Sequence, residues 1–506
     1  MVDILLAHSY FLKYDAKQLQ KMRPYAPLAT LYAAAYLRER GYTVALFDAM
    51  LADGEHEFEL ALQQNRPRYV ALYEDNFNFL SKMCLSRMRE AACHMAAAAR
   101  AAGAIVIASG ADVSDHPALY FQHGAQYALI GEPDHTLLEL LDALDDRRLT
   151  TDDRRIMDIT GLAWPDPAAP DGVRYTAKRA VERHPDIFPF PAWDLLDVER
   201  YRAAWMDAHG YYSLNMVSTR GCPFHCNWCA KPIWGQRYAM RSPANVAEEL
   251  ALVKRTLRPD HIWFADDIFG LRPQWVAQFG REVAARDAVI PFMIQSRVDL
   301  MTEPAVAGLA QAGCAEVWMG AESGSQKILN AMEKGTKVHQ IAEARARLKA
   351  ASIKACFFIQ FGYPGETLDD IMATVQMVRD TLPDNIGVSV SYPLPGTRFY
   401  EMVKEQLGAK TNWVDSNDLA MMFQGTYQSP FYRALHRVLH ADLELRQRIH
   451  AVAGPPDAET LAALDRLNAE WMELGQLEAE YRSDAPTLIA RPYIQLAAPD
   501  LSQEWN

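Results

Sequence analysis

Three cysteines stand in the stretch Thr219-Arg220-Gly221-Cys222-Pro223-Phe224-His225-Cys226-Asn227-Trp228-Cys229-Ala230-Lys231, at spacing C-x3-C-x2-C. The chain has 7 cysteines in 506 residues, so chance would produce such a triplet in about one chain in a thousand. Thiolates are soft donors that select soft metals. Three of them without a fourth suit an iron–sulfur cluster that keeps one iron open. A structural zinc site takes four protein ligands in paired spacings, and no second C-x2-C pair follows. Zinc, or three ordinary buried cysteines, are the competing readings. Disulfides need an oxidising compartment, and three neighbouring cysteines cannot all pair with one another.

With a tryptophan just before its last cysteine, this stretch resembles the radical SAM superfamily. The resemblance implies that Cys222, Cys226 and Cys229 hold a [4Fe-4S] cluster. Its open iron would chelate the amino and carboxylate groups of S-adenosylmethionine (SAM). Trp228 would lie beside the adenine, although the residue alone also reads as a core tryptophan. The cluster would cleave SAM to methionine and a 5′-deoxyadenosyl radical, which takes a hydrogen from an unactivated carbon.

The elements around the cysteines carry a βα alternation. Strands are expected at 213–220, 261–267, 292–298, 316–322, 355–361 and 387–392. Helices are expected at 243–254, 272–285, 303–312, 325–330 joined to 338–350, 367–380 and 399–406. Six such units make a partial (β/α)6 barrel, whose chemistry belongs at the carboxyl ends of its strands. The second strand ends in Asp266 and Asp267, carboxylates that suit the SAM ammonium or cap the next helix. The third ends in Ser296 and Arg297, a guanidinium fork for a carboxylate or a surface arginine. The fourth ends in Glu322 within Gly-Ala-Glu-Ser-Gly-Ser, an acceptor for ammonium or ribose. The fifth ends in Gln360, ahead of a Gly-Tyr-Pro-Gly-Glu-Thr run suited to adenine. Single Gly-Glu-Ser-Gly loops are common turn chemistry, but in this order after the cysteines the set resembles the radical SAM core throughout.

Residues 1–145 show a second alternation. Apolar runs at 3–8, 43–48, 69–74, 104–110 and 127–131 are separated by helical patterns at 27–40, 55–64, 80–101 and 116–124. Parallel strands in a doubly wound, Rossmann-like α/β sheet are expected, with ligands at their carboxyl ends. Those ends carry Ser9, Asn76, Ser109, Gly110, Gly131 and Glu132, groups that suit a flat, amide-rimmed ligand. A ligand-free flavodoxin-like domain reads equally well from these residues alone. Placed before the cysteines, the domain resembles the cobalamin-binding domains fused to radical SAM cores. That branch includes the anaerobic magnesium-protoporphyrin monomethyl ester cyclases and cobalamin-dependent methyltransferases. Residues 320–335 and 358–367 resemble it most, and the likeness covers about 1–425. The Asp-x-His-x-x-Gly motif of many cobalamin domains is absent; His8, His56, His94, His116, His123 and His135 all lack its context. The lower ligand of cobalt is therefore unassigned.

The chain divides by composition into four parts. Residues 1–145 form the cobalamin-binding-like domain. Residues 146–210 form a hairpin, turning at the Pro-rich stretch 165–172, and a Pro-rich linker, in which the prolines at 189 and 191 preclude a helix over 188–194. Residues 211–410 are the radical SAM partial barrel, and 411–506 a helical segment. In that segment Trp413, Met421, Met422, Phe423 and Tyr427 suit either a pocket or an ordinary helical core. Cys84, Cys93, Cys314 and Cys356 stand singly in apolar contexts and read as buried structural cysteines.

Half the residues are apolar and the formal net charge is −13, which disfavours a nucleic-acid partner. The first residues read as a strand rather than a signal peptide, and no apolar run reaches the length of a membrane span. A cytoplasmic enzyme with a small-molecule substrate and a flavodoxin- or ferredoxin-type electron donor is expected. The resemblance points first to C-methylation of an unactivated carbon by way of cobalamin. The alternative is an oxidative cyclisation or rearrangement with the same cofactors. A tRNA methylthiotransferase would carry three cysteines in its first domain and a basic C-terminal module, neither of which occurs. A non-catalytic iron–sulfur or zinc scaffold would not need the strand-end set.

Overall fold

The computed structural model describes residues 2–77, 85–145, 154–229, 233–407, 419–451 and 457–483. Five apolar runs become β1 (Ile4–Ala7), β2 (Val44–Phe47), β3 (Tyr69–Tyr73), β4 (Ile105–Ser109) and β5 (Tyr127–Leu129). They are parallel, in the order β2-β1-β3-β4-β5. Helices cover both faces, which is why the strands lack polar–apolar alternation. On one face Ile4, Leu6 and Ala71 pack with Leu28 and Leu31 of helix Leu28–Glu39 and with Leu137 and Leu141 of helix Asp134–Asp145. On the other, Leu5, Ala7 and Val70 pack with Phe58 of helix Glu55–Asn65 and Met95 of helix Ser86–Ala101. The order reverses between β1 and β3, and such a switch opens a crevice at the strands' carboxyl ends.

The hairpin expected in the linker is not free-standing. β6 (Leu162–Pro165) pairs antiparallel with β5, and β7 (Val173–Tyr175) with β6. The first sheet thus has seven strands, and the connector proper begins after Tyr175. The sequence shows the hairpin through its turn residues but not which edge it joins. The first part of the helical pattern at 80–101, with Cys84, lies outside the described residues.

The second sheet has six parallel strands: β8 (Ser213–Met216), β11 (His261–Phe264), β12 (Phe292–Ser296), β13 (Cys314–Glu322), β14 (Lys354–Phe361) and β15 (Asn385–Val390). They follow one another in chain order, each pairing with the next. The expected first strand divides. Its second half becomes β9 (Thr219–Gly221), which leaves the sheet and pairs antiparallel with β10 (Tyr238–Met240). The loop between β9 and β10 holds the three cysteines.

Helices Ser429–Ala451 and Ala458–Tyr481 form the C-terminal part. Val438, Leu445 and Leu467 make a small core between them. Met422, Phe423 and Tyr427 are buried, and Phe423 meets the Phe399 ring edge-on at 5.3 Å. They therefore serve as core, while Trp413 lies outside the described residues. No helix among the described residues is long and apolar enough to cross a membrane.

The two sheets share one continuous core. Asn215 of β8 bonds both polar backbone groups of Ala26, at 2.8 Å each. The Trp205 indole donates to the Pro24 carbonyl at 2.8 Å. The Arg241 guanidinium meets the Tyr32 hydroxyl at 2.9 Å and the Glu249 carboxylate at 2.5 Å.

Candidate active site

Local chemistry throws the cysteine loop out of the sheet. Asp266, buried at the end of β11, accepts from the backbone N–H of Ser218 (2.8 Å), that of Thr219 (2.9 Å) and the Ser218 hydroxyl (2.6 Å). Gly221 has φ +78°, and a side chain there would strike the Arg237 carbonyl oxygen. Only glycine tolerates both the dihedral and the close approach.

Cys222, Cys226 and Cys229 are partly exposed thiols. Asn227, buried between two of them, anchors the loop at four points. Its N–H donates to the Met332 carbonyl (3.1 Å) and its side-chain amide to the Ala331 carbonyl (2.8 Å). It accepts from the Tyr363 hydroxyl (3.0 Å) and, through its carbonyl, from the Phe399 N–H (3.0 Å). These contacts tie the loop to the chain that follows β13, β14 and β15.

Two cations stand beside Cys226. Arg297 stacks on the Phe224 ring, 3.7 Å from its centroid, with Nη1 3.9 Å from the Cys226 sulfur. Its other nitrogens bond Asp299 (2.9 and 3.0 Å) and the Lys334 carbonyl (2.8 Å). Lys334, buried, pairs with buried Glu322 at 2.7 Å. Burial alone would lower the Lys334 pKa, but the negative charges of Glu322 and Cys226 outweigh it and the net shift is upward. Glu322 sits at φ +60°, a left-handed conformation uncommon outside glycine. A side chain at Gly320 would collide with both partners of this pair.

This geometry revises several expected roles. Asp266 does not face a ligand ammonium, because its oxygens are used by Ser218 and Thr219. Burial pushes its carboxyl up to about 6 even against those bonds. Asp267 is exposed. The Ser296 hydroxyl donates to the Phe269 carbonyl at 3.0 Å. Most of the Arg297 fork is taken by Asp299 and Lys334, so it braces the loop rather than standing open for a carboxylate. Asn227 and Lys334 were missed in the sequence, although Lys334 lies in the 320–335 segment that carried the resemblance.

At the first sheet, Ser9 is buried and its N–H donates to Glu74 at 2.9 Å. Glu132 does not face a ligand either: its carboxylate accepts from the Arg220 guanidinium and from the Glu182 N–H (2.6 Å). His8 ends β1 but is bound to Asp48 at 2.8 Å, and Asp48 also accepts from Tyr201 at 2.7 Å. Gly131 faces the carbonyl of Ile233, just beyond the cysteine loop. The carboxyl end of β5 thus abuts the loop. Gly110 follows Ser109, the last residue of β4.

The residues present fit the implied groups. Among the described residues no three His, Cys, Asp or Glu side chains converge on one ion. A cubane asks for less, one thiolate on each of three irons. Buried polar atoms without partners normally mark a missing ligand or water. At the carboxyl end of the second sheet these include the Trp228 indole nitrogen, Thr336 Oγ1 and Gln360 Oε1. At the first sheet they include the Asn76 amide nitrogen and Ser109 Oγ. The first set suits a nucleoside and amino acid, the second an amide-rich rim. Cys93, Cys314 and Cys356 are buried, and burial raises each thiol's pKa.

Residues 216–378 match the family model of the radical SAM superfamily. An uncharacterized methyltransferase of Pyrococcus horikoshii is 28% identical over 285 residues, 56% of this chain and 59% of that protein. The anaerobic magnesium-protoporphyrin IX monomethyl ester cyclase of Rubrivivax gelatinosus is 25% identical over 397 residues, 77% of this chain and 67% of that protein. This chain therefore spans well under two thirds of the first relative's length and about two thirds of the second's. The radical SAM methyltransferase TsrM of Kitasatospora setae, solved with cobalamin and a [4Fe-4S] cluster, superposes with a TM-score of 0.64 at 20% identity. That match covers 81% of this chain and 79% of TsrM, and it is a likeness of fold. The cysteine loop, the parallel sheet that presents it and the family match agree: residues 216–378 are a radical SAM domain.

Proposed function

We propose that the chain is a cobalamin-dependent radical SAM enzyme that C-methylates an unactivated carbon of a small metabolite. The observation that carries this reading is that the carboxyl end of the first sheet lies against the cysteine loop. The cysteine loop rises from the second sheet, and the end of β5 in the first lies against it. When bound, the cluster supplies the electron that cleaves SAM, and cobalamin supplies a transferable methyl group.

Cys222, Cys226 and Cys229 hold the cluster as thiolates. Asn227 and Arg297 fix the loop that presents them. Trp228, Glu322, Thr336 and Gln360 surround the SAM side, with Lys334 holding Glu322 in its left-handed turn. Asn76, Ser109, Gly110 and Gly131 line the cobalamin side. A reducing, cytoplasmic setting and a flavodoxin- or ferredoxin-type donor complete the reading. The cyclase similarity over 397 residues supports a second reading, oxidative cyclisation with the same groups.

The test is anaerobic incubation of the reconstituted full chain with SAM and dithionite, measuring 5′-deoxyadenosine. Steady formation is expected. None, from protein carrying a full cluster, would refute the radical reading.

A further inference from the structure

One charged side chain between the sheets has no place in the cofactor sites as assigned. Arg220 lies in β9, two residues before Cys222, and is buried. Its guanidinium bonds the carboxylate of Glu132, on the loop that leaves β5, and, at 2.8 Å, that of Asp134, the first residue of the helix that follows. All three groups are buried. Three aromatic rings surround the cation: Phe188 at 4.1 Å, Trp234 at 5.2 Å and Phe77 at 5.8 Å. Phe77 follows β3, Phe188 belongs to the connector, and Trp234 follows the cysteine loop.

The neighbours are tied together as well. Trp234 stacks on Phe77, centroids 5.5 Å apart and planes 25° apart. Phe188 meets the rings of Tyr36 at 5.4 Å and His135 at 5.3 Å. Glu132 takes the Glu182 N–H from the connector. One guanidinium, itself just before the cysteines, therefore contacts the segments that follow β3 and β5, the connector and the chain beyond the cysteines. A planar fork can serve two carboxylates and three ring faces at once, which an ammonium cannot. Charges this deeply buried hold one geometry, since separating them would leave uncompensated ions in the core.

We infer that Arg220 is a positioning residue that registers the cysteine loop against the carboxyl-end loops of the first sheet. It fixes the spacing of the two sites without touching the reacting groups. The inference rests on the two-site reading for its purpose but not for its test.

The test is hydrogen-exchange mass spectrometry on the anaerobically reconstituted full chain, comparing wild type with Arg220→Lys. Segments 219–229 and 127–134 are expected to exchange together, about tenfold faster, while 292–296 keeps its rate and iron content is unchanged. Acceleration of one segment alone, of neither, or of all segments equally would overturn the inference. If Arg220→Lys does not fold, Glu132→Gln keeps Asp134 as a partner. The same paired acceleration is then expected, about threefold, with the same outcomes overturning it. Exchange needs no cobalamin. Paired acceleration in a chain that retains no cobalt would refute the cobalamin reading and leave the role of Arg220 standing.

Discussion

Cys226 is the residue on which the chemistry turns. It stands beside Arg297, whose Nη1 lies 3.9 Å from its sulfur. Cys226→Ala is expected to lose the cluster's iron and to make no 5′-deoxyadenosine. Cluster-level iron with continued deoxyadenosine formation would contradict the assignment. Glu366 gives a second test at this scale. It is fully enclosed, burial pushes its carboxyl up to about 8, and one oxygen accepts from the Gly362 N–H at 2.6 Å. A folded-state pKa above the unfolded value means stability that is complete below the ordinary value of 4.5 and lost progressively as pH rises to about 8. Wild-type melting temperature should therefore fall between about pH 5 and pH 8 and level off above. Glu366→Gln, neutral throughout, should show a flatter profile, and parallel profiles would refute it.

At the scale of elements, the legible features were local ones. The cysteine spacing, the period of the apolar runs and the polar strand ends all lie within a few residues of one another, and the strands appear where those patterns put them. What the sequence hid were pairings between distant segments. The departure of β9 from the sheet depends on Asp266, more than forty positions downstream. The annexation of β6 and β7 depends on which edge of the first sheet is open. Arg220, Asn227 and Lys334 looked ordinary because their partners lie on other elements. Asp266, Glu132 and Arg297 were read as ligand groups because a polar side chain at a strand end can face either a ligand or the chain. The C-terminal helices supply a further case. Buried Asp442 accepts from Arg379, Arg446 and, at 2.9 Å, the Trp471 indole. Asp442→Ala should cost about 2–3 kcal/mol, less than a fully buried pair because both arginines are partly exposed. Chemical denaturation checks it, and a loss under about 0.5 kcal/mol would show that the cluster is not structural.

At the scale of the molecule, the carboxyl end of β5 in the first sheet lies against the cysteine loop of the second. The Asn215–Ala26 clasp and the Arg220 hub make this a fixed relation rather than two tethered domains. The central claim is that the chain holds both an iron–sulfur cluster and cobalamin. Its most direct test is metal analysis of the full chain reconstituted anaerobically with iron, sulfide and hydroxocobalamin. About four irons and about one cobalt per chain are expected. Full iron with no retained cobalt would contradict the claim: the radical SAM domain would stand, and the first sheet would need another occupant.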